Sequence, residues 1–119
     1  MRQAMERKRM SGSLWLDVGA MNRPRTYHRS KAMNKCQRAT ERWGYQWNQI
    51  VSRDRHRDIV EVRQIMAKHL RDSLWTYKDI GEYLGGRDHA TAIYSHRQAE
   101  HLIKYDSHFR ARYYEFLNS

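Results

Sequence analysis

The sequence predicts an all-α fold, built as a small bundle of short helices. From residue 32 onward, apolar residues recur at spacings of three and four, which places them on one face of a helix in successive segments. No segment alternates apolar and polar residues with the period of two that is typical of a strand. Residues suited to begin or end a helix separate these segments. With 119 residues, the chain has room for one domain with a modest core.

The first helix is predicted to start at residue 32. Four of its residues share one face: Cys36, Ala39, Thr40 and Trp43. Gly44 supplies a C-terminal stop, since glycine readily adopts the left-handed conformation that ends a helix. A shorter helical piece then carries Trp47, Ile50 and Val51.

A basic loop is predicted at residues 52–57, Ser-Arg-Asp-Arg-His-Arg, which are strongly polar and have no helical period. Asp58 is expected to cap the next helix, because an aspartate side chain accepts hydrogen bonds from free amides at a helix start. The inward face of that helix is predicted to consist of Ile59, Val62, Ile65, Met66, His69 and Leu70.

Three further helix starts follow. The segment Thr76-Tyr77-Lys78-Asp79 resembles a capping box and begins a short helix with Ile80, Tyr83 and Leu84 inward. Gly85-Gly86 ends that helix, and Asp88 is expected to cap the following one. The inward residues of the following helix are predicted to be Ala92, Ile93, His96, Ala99, Leu102 and Ile103. Ser107 starts a last helix that carries Phe109, Tyr113, Phe116 and Leu117.

Two helices joined by a few residues that include a glycine pair must pack at a steep angle, which is the geometry of a helix-turn-helix. Gly81 lacks a Cβ and permits close approach of the two backbones, and Gly85 suits a sharp helix exit. The N-terminus of the second helix then presents Asp88, His89 and two neighbours. This end of the helix faces base edges in the major groove.

The chemistry of these N-terminal residues suits contacts with bases. The carboxylate of Asp88 accepts from a cytosine amino group, and the imidazole of His89 donates or accepts. The methyl groups of Ala90 and Thr91 suit contact with a thymine methyl. The formal net charge of +10, from 23 Lys and Arg against 13 Asp and Glu, also favours a polyanionic partner.

Residues 1–31 are predicted to form a flexible basic N-terminal arm, and residues 32–119 the folded domain. The arm holds eight Lys and Arg against two Asp and Glu and has no helical or strand period. It also contains an apolar island, Leu14-Trp15-Leu16 with Val18. With a DNA-binding domain beside it, the arm is expected either to contact DNA or to remain a solvated tail, and it offers a site for a protein partner.

Two strings in the sequence resemble one family. Gly85-Gly86-Arg87-Asp88-His89-Ala90-Thr91, preceded by Asp79-Ile80-Gly81 and followed by Arg97, is similar to the DNA-binding segment of the bacterial chromosomal replication initiator DnaA. The loop at 52–57, followed by Val62-Arg63-Gln64, is similar to that family's basic loop and next helix. The resemblance covers residues 32–117 and implies the Trp-repressor-like fold of DnaA domain IV.

The resemblance implies specific contacts. Arg55 corresponds to a basic-loop arginine that enters the minor groove, while Asp88, His89, Ala90 and Thr91 correspond to the major-groove surface. Together with the general rule that phosphate contacts set the register, it predicts phosphate contacts from seven residues: Arg53, Arg57, Arg63, Gln64, Lys78, Arg87 and Arg97.

Four positions depart from the family pattern. Ala90 stands where threonine is usual, Asp54 adds a negative charge to the basic loop, and Tyr94 and Gln98 replace polar or basic groups. The preferred DNA sequence is therefore expected to be related to the DnaA box without being defined by it.

Several other functions have no support in the sequence. None of the six glycines begins the Gly-Lys pair of a phosphate-binding P-loop, so no ATP and no other cofactor is expected. His96 and His101 lie five residues apart, and Cys36 has no cysteine partner, so neither a metal site nor a disulfide is predicted. No catalytic constellation is present, and no apolar run approaches the length of a membrane span.

The expected protein is a stand-alone, monomeric module that binds double-stranded DNA in the bacterial cytoplasm, at the nucleoid or during phage infection. It would act as a transcription regulator or a modulator of replication initiation, of the kind that phage or mobile elements encode. An alternative is a protein-interaction adaptor that binds its partner through residues 1–31. A third is a non-specific nucleic-acid or RNA binder, supported only by charge.

Overall fold

The structure, a computed structural model, describes residues 25–119, with side chains from residue 29 onward. In this range the chain forms six helices and no strand, which confirms the all-α fold. The helices are α1 (Arg25–Arg42), α2 (Trp47–Ile50), α3 (Arg57–Asp72), α4 (Tyr77–Tyr83), α5 (His89–Tyr105) and α6 (Ser107–Leu117). No helix in the described range is long and apolar enough to cross a membrane.

Helix α1 begins at Arg25, seven residues before the predicted start. Among the described side chains of this helix, Arg29, Ser30 and Lys31 are not buried, and Ala32 is the first buried residue. Residues 25–31, which the sequence analysis assigned to the arm, belong to this helix. The rest of the arm, residues 1–24, lies outside the described residues, and its predicted roles stay predictions.

Helix α3 lies at the centre of the bundle and packs against α2, α4 and α5. The side chains of Val62, Ile65, Met66 and Leu70 are fully buried, as their spacing predicts. The helix begins at Arg57, and its N-cap residue is His56, so the expectation that Asp58 caps it is wrong. Asp58 instead lies in the exposed first turn, where a carboxylate interacts favourably with the helix dipole.

Side-chain caps define the starts of the last three helices. Thr76 accepts a hydrogen bond from the amide of Asp79 at the start of α4, and Asp88 accepts one from the amide of Thr91 at the start of α5. Both caps confirm the sequence prediction. Asp106 ends α5 and caps α6, because its carboxylate accepts from the amides of His108 and Phe109. Helix α6 therefore begins at Ser107, as predicted.

Helix α6 closes the core with Phe109, Tyr113 and Phe116, all of which are buried. The ring centroid of Phe116 lies 6.0 Å from that of Trp43, the residue after α1, and 5.2 Å from that of His69 in α3, so this one side chain joins three segments of the chain. Leu117 was grouped with these residues in the sequence, but it is 37% exposed. One residue is about 100° of helix rotation, which turns Leu117 away from the core.

Phe116→Ala should lower the free energy of unfolding by about 3 to 5 kcal/mol, because it removes a fully buried ring and leaves a cavity. Leu117→Ala, the matched control one position along, should change it by less than about 1 kcal/mol, since much of that side chain already contacts water. Urea denaturation measures both values. Similar losses for the two variants would contradict the packing of α6.

Candidate nucleic-acid interface

Helices α4 and α5 meet at a tight corner. The amide of Arg87 donates to the carbonyl oxygen of Gly81 over 2.8 Å. A Cβ built on Gly81 would lie 2.2 Å from the Arg87 carbonyl oxygen, far inside van der Waals contact. Only glycine permits this approach, so the sequence string that contains Gly81 reflects a steric requirement of the corner.

The turn between α4 and α5 also packs against the chain that enters the basic loop. Gly85 and Gly86 have φ angles of +109° and +73°, in the region that favours glycine. A Cβ on Gly85 would lie 2.2 Å from the carbonyl oxygen of Val51, whereas one on Gly86 would meet open space. The backbone of the turn therefore rests directly on the backbone that precedes Ser52.

Two arginines converge on the carbonyl oxygen of Ser52. Arg63, from α3, donates to it over 2.8 Å, and Arg87, from the turn, donates over 2.6 Å. Arg63 also donates to the carbonyl of Ile50 over 2.6 Å, and Arg87 donates to that of Leu84. Burial lowers the pKa of both guanidinium groups, and Arg87 lowers that of Arg63 further. We call this set of contacts, with Gly85 against Val51, the Ser52 junction.

The basic loop is held by its own polar residues. Asp54 accepts from the backbone amide of His56 over 2.8 Å and contacts the imidazole Nδ1 over 2.5 Å. The amide of His56 is the main reason that the pKa of Asp54 lies below its ordinary value. The negative charge in this loop is therefore engaged locally, and the side chains of Arg53 and Arg55 are exposed.

The N-terminus of α5 presents four exposed residues in succession: Asp88, His89, Ala90 and Thr91. One carboxylate oxygen of Asp88 accepts from the Thr91 amide over 2.9 Å. That hydrogen bond lowers the pKa of Asp88, so the carboxylate stays ionised as a cap and as a potential acceptor. The side chain of Thr91 also hydrogen-bonds this carboxylate, which retains further lone pairs that accept from an external donor.

An open basin of about 770 Å³ separates the basic loop from α5. Six of the predicted DNA-contacting residues line it: Arg53, Arg55, Arg63, Gln64, Arg87 and Thr91. Four arginines from the loop, α3 and the turn thus surround one concavity beside the exposed N-terminus of α5. Such a concentration of positive charge suits a polyanion.

The residues predicted to contact phosphates differ in exposure and in position relative to the basin. Arg57, Lys78 and Arg97 are exposed but do not line the basin. Arg63 and Gln64 are buried, with 7% and 8% of their surface exposed. The guanidinium of Arg63 donates to two backbone carbonyls, and its phosphate contact stays a prediction. The side-chain oxygen of Gln64 is buried without a hydrogen-bond partner among the described residues.

Two contributors to this surface had no assigned role in the sequence analysis. The backbone carbonyl of Ser52 organises the junction, and no side-chain pattern could have identified it. Tyr94 lines the basin and is 62% exposed. The signal for Tyr94 was its position one helical turn after Ala90, which places it on the same face of α5.

The corner, the glycine turn and the adjoining arginine-rich loop define a helix-turn-helix module of the nucleic-acid-binding class. The family model of the bacterial DnaA protein helix-turn-helix matches residues 29–99. The chain belongs to this family. Membership supports binding of DNA by the helix-turn-helix.

Individual relatives agree with the family match. The chromosomal replication initiator protein DnaA of Chloroflexus aggregans is 37% identical over 73 residues, which cover 60% of this chain and 15% of that protein. The protein of the same name from Wolbachia sp. subsp. Brugia malayi is 37% identical over 89 residues, covering 71% and 19%. The chain therefore spans less than a fifth of the length of these relatives. No solved structure gives a significant match.

Gly85→Ala should destabilise the protein more than Gly86→Ala, although both place alanine at a positive φ. The shared conformational cost is about 1 to 2 kcal/mol. Only the Gly85 variant also drives a methyl group against the Val51 carbonyl. Urea denaturation of the two variants separates these effects. Equal losses would show that the turn does not rest on the loop backbone.

Proposed function

We propose that the chain binds double-stranded DNA sequence-specifically as a monomer, with the N-terminus of α5 in the major groove and the basic loop in the adjacent minor groove. In this arrangement Asp88, His89, Ala90 and Thr91 contact base edges, and Arg55 enters the minor groove. The observation that carries the proposal is the Ser52 junction, because it holds the loop and the recognition helix, α5, at one fixed separation.

A fixed separation matters because a duplex offers its two grooves at a set spacing. If loop and helix moved independently, ordering them on DNA would cost conformational free energy at each binding event. Two kinds of contact support an interface that is formed before DNA arrives. The backbone of Gly85 packs against that of Val51, and the guanidinium groups of Arg63 and Arg87 donate to the Ser52 carbonyl.

Phosphate contacts are proposed for the exposed cations around this surface: Arg53, Arg57, Lys78 and Arg97. The side chain of Arg57 is 81% exposed, and its contact with Glu61 is a single 3.3 Å hydrogen bond, which a phosphate would readily replace. Gln64, Arg63 and Arg87 lie in the wall of the basin and contribute their remaining donors. Such contacts set the register of the protein on the duplex and make binding depend on salt.

The preferred duplex is proposed to be related to the DnaA box, and the biological role to be regulation of transcription or modulation of replication initiation. The relatives are chromosomal replication initiator proteins, and the strings around Arg55 and Asp88 are similar to those of that family. Because the chain spans only 15% and 19% of two such relatives, the activities of whole initiators are not assigned to it.

His89→Ala should weaken binding to the preferred duplex by about 1 to 3 kcal/mol and leave binding to scrambled DNA nearly unchanged, because a base contact carries sequence information. Arg97→Ala should weaken both complexes to a similar degree, because a phosphate contact does not. Mobility shifts at a fixed salt concentration, with both duplexes, measure the four affinities.

The control is the unaltered chain on the two duplexes. Equal affinity for the preferred and the scrambled duplex would remove the claim of sequence specificity. If Arg97→Ala abolished only the preferred complex, the division between base and phosphate contacts would be wrong.

Asp88→Ser should separate the two roles of Asp88. Serine caps a helix about as well as aspartate, so α5 and the overall stability should be retained. The variant loses the carboxylate that would accept from a cytosine amino group, so its preference for the selected duplex should fall. Circular dichroism with urea denaturation reports the cap, and mobility shifts report the preference. Unchanged preference would restrict Asp88 to capping.

A further inference from the structure

We propose that Tyr94 determines part of the DNA sequence preference, by contact of its ring with the C5-methyl group of a thymine in the major groove. The proposal rests on the proposed binding mode of α5. It extends the base-contacting surface by one helical turn, beyond Asp88, His89, Ala90 and Thr91, to a residue that the family resemblance does not assign.

The aromatic ring of Tyr94 is exposed and packs against no other ring in the described range. Three tyrosines in the described range are strongly exposed: Tyr94 at 62%, Tyr105 at 73% and Tyr114 at 49%. The ring centroid of Tyr105 lies 4.8 Å from that of His101, and the ring of Tyr114 lies 5.8 Å from that of Tyr113. Within the same range, Tyr94 has neither a ring contact nor a hydrogen bond. Its ring is therefore available to a partner.

The position of Tyr94 directs it toward DNA. It lines the basin together with Arg53, Arg55 and Thr91, so it lies on the same side of the molecule as the basic loop. Ala90 precedes it by four residues, and long side chains in helices lean toward the preceding turn. Because Ala90 carries only a methyl group, it leaves room for the Tyr94 ring beside the base edges.

The chemistry favours a thymine methyl over a phosphate. Four arginines already line the basin and supply its positive charge, so a neutral phenol adds little to phosphate binding. The thymine methyl is the apolar group on the major-groove edge of the base pairs, and an aromatic face is a suitable partner for it. Tyrosine also loses little rotamer freedom on contact, because only two side-chain torsions must be ordered.

The experiment begins with selection of a preferred duplex from a random pool by the full chain. Each thymine in that duplex is then replaced, one at a time, by deoxyuridine, which lacks only the C5-methyl group. At one position the replacement should weaken binding by the unaltered chain about fourfold, which is the loss of affinity expected when one buried methyl group is removed. Tyr94→Ala should abolish the effect at that position, and Tyr94→Phe should retain it.

Two controls make the result specific. Tyr105→Ala removes an exposed tyrosine from the other end of the same helix and should leave every deoxyuridine effect unchanged. Tyr94→Gln, which keeps a long side chain without a ring, should behave like Tyr94→Ala. Because Tyr94 is largely exposed, thermal unfolding of its variants should match that of the unaltered chain.

Other outcomes overturn the proposal. If Tyr94→Ala and Tyr94→Phe weaken binding to selected and scrambled duplexes alike, the hydroxyl contacts phosphate. If all deoxyuridine effects persist in Tyr94→Ala, the methyl groups are contacted by Ala90 or Thr91 alone. In both cases His89→Ala still lowers the preference, and the proposed function stands. If the unaltered chain selects no duplex, the proposed function and the role of Tyr94 fail together.

Discussion

The backbone carbonyl of Ser52 accepts hydrogen bonds from Arg63 and Arg87. The candidate nucleic-acid interface is organised around that acceptor. Arg63 comes from the central helix, Arg87 from the turn of the helix-turn-helix, and Ser52 from the start of the basic loop. A guanidinium is well suited to this position, since its several donors have fixed directions and it remains charged when partly buried. The junction thus links the basic loop and the helix that follows it to the turn of the helix-turn-helix, 35 residues after Ser52.

The junction also divides the positive charge into two groups. Arg63 and Arg87 direct donors inward to carbonyls, and they position the chain. Arg53 and Arg55 are exposed on the rim of the same basin. The acidic residues follow a similar division, because Asp54 is engaged with His56 within the loop and Asp88 with the first turn of α5. Both carboxylates remain ionised, because these hydrogen bonds lower their pKa values.

Glycine has a definable role at two places on this surface. Gly81 lets α5 approach α4, and Gly85 lets the turn approach Val51, each at a distance that a Cβ would obstruct. These close contacts bring the cap of α5 to the edge of the basin. Helix capping by Asp88 then leaves His89, Ala90 and Thr91 projecting from the helix end, and Tyr94 follows one turn behind them on the basin side.

The sequence by itself determined the helical class, the caps Thr76 and Asp88, and the glycine corner, because these depend on local periodicity and backbone sterics. It also indicated family membership through the strings at residues 52–57 and 85–91. Only the tertiary structure decided that Arg63 is buried, that α1 begins at Arg25, and that Leu117 turns outward. The burial of Arg63 depends on which backbone carbonyls lie within reach of its guanidinium, and local spacing carries no information about those distances.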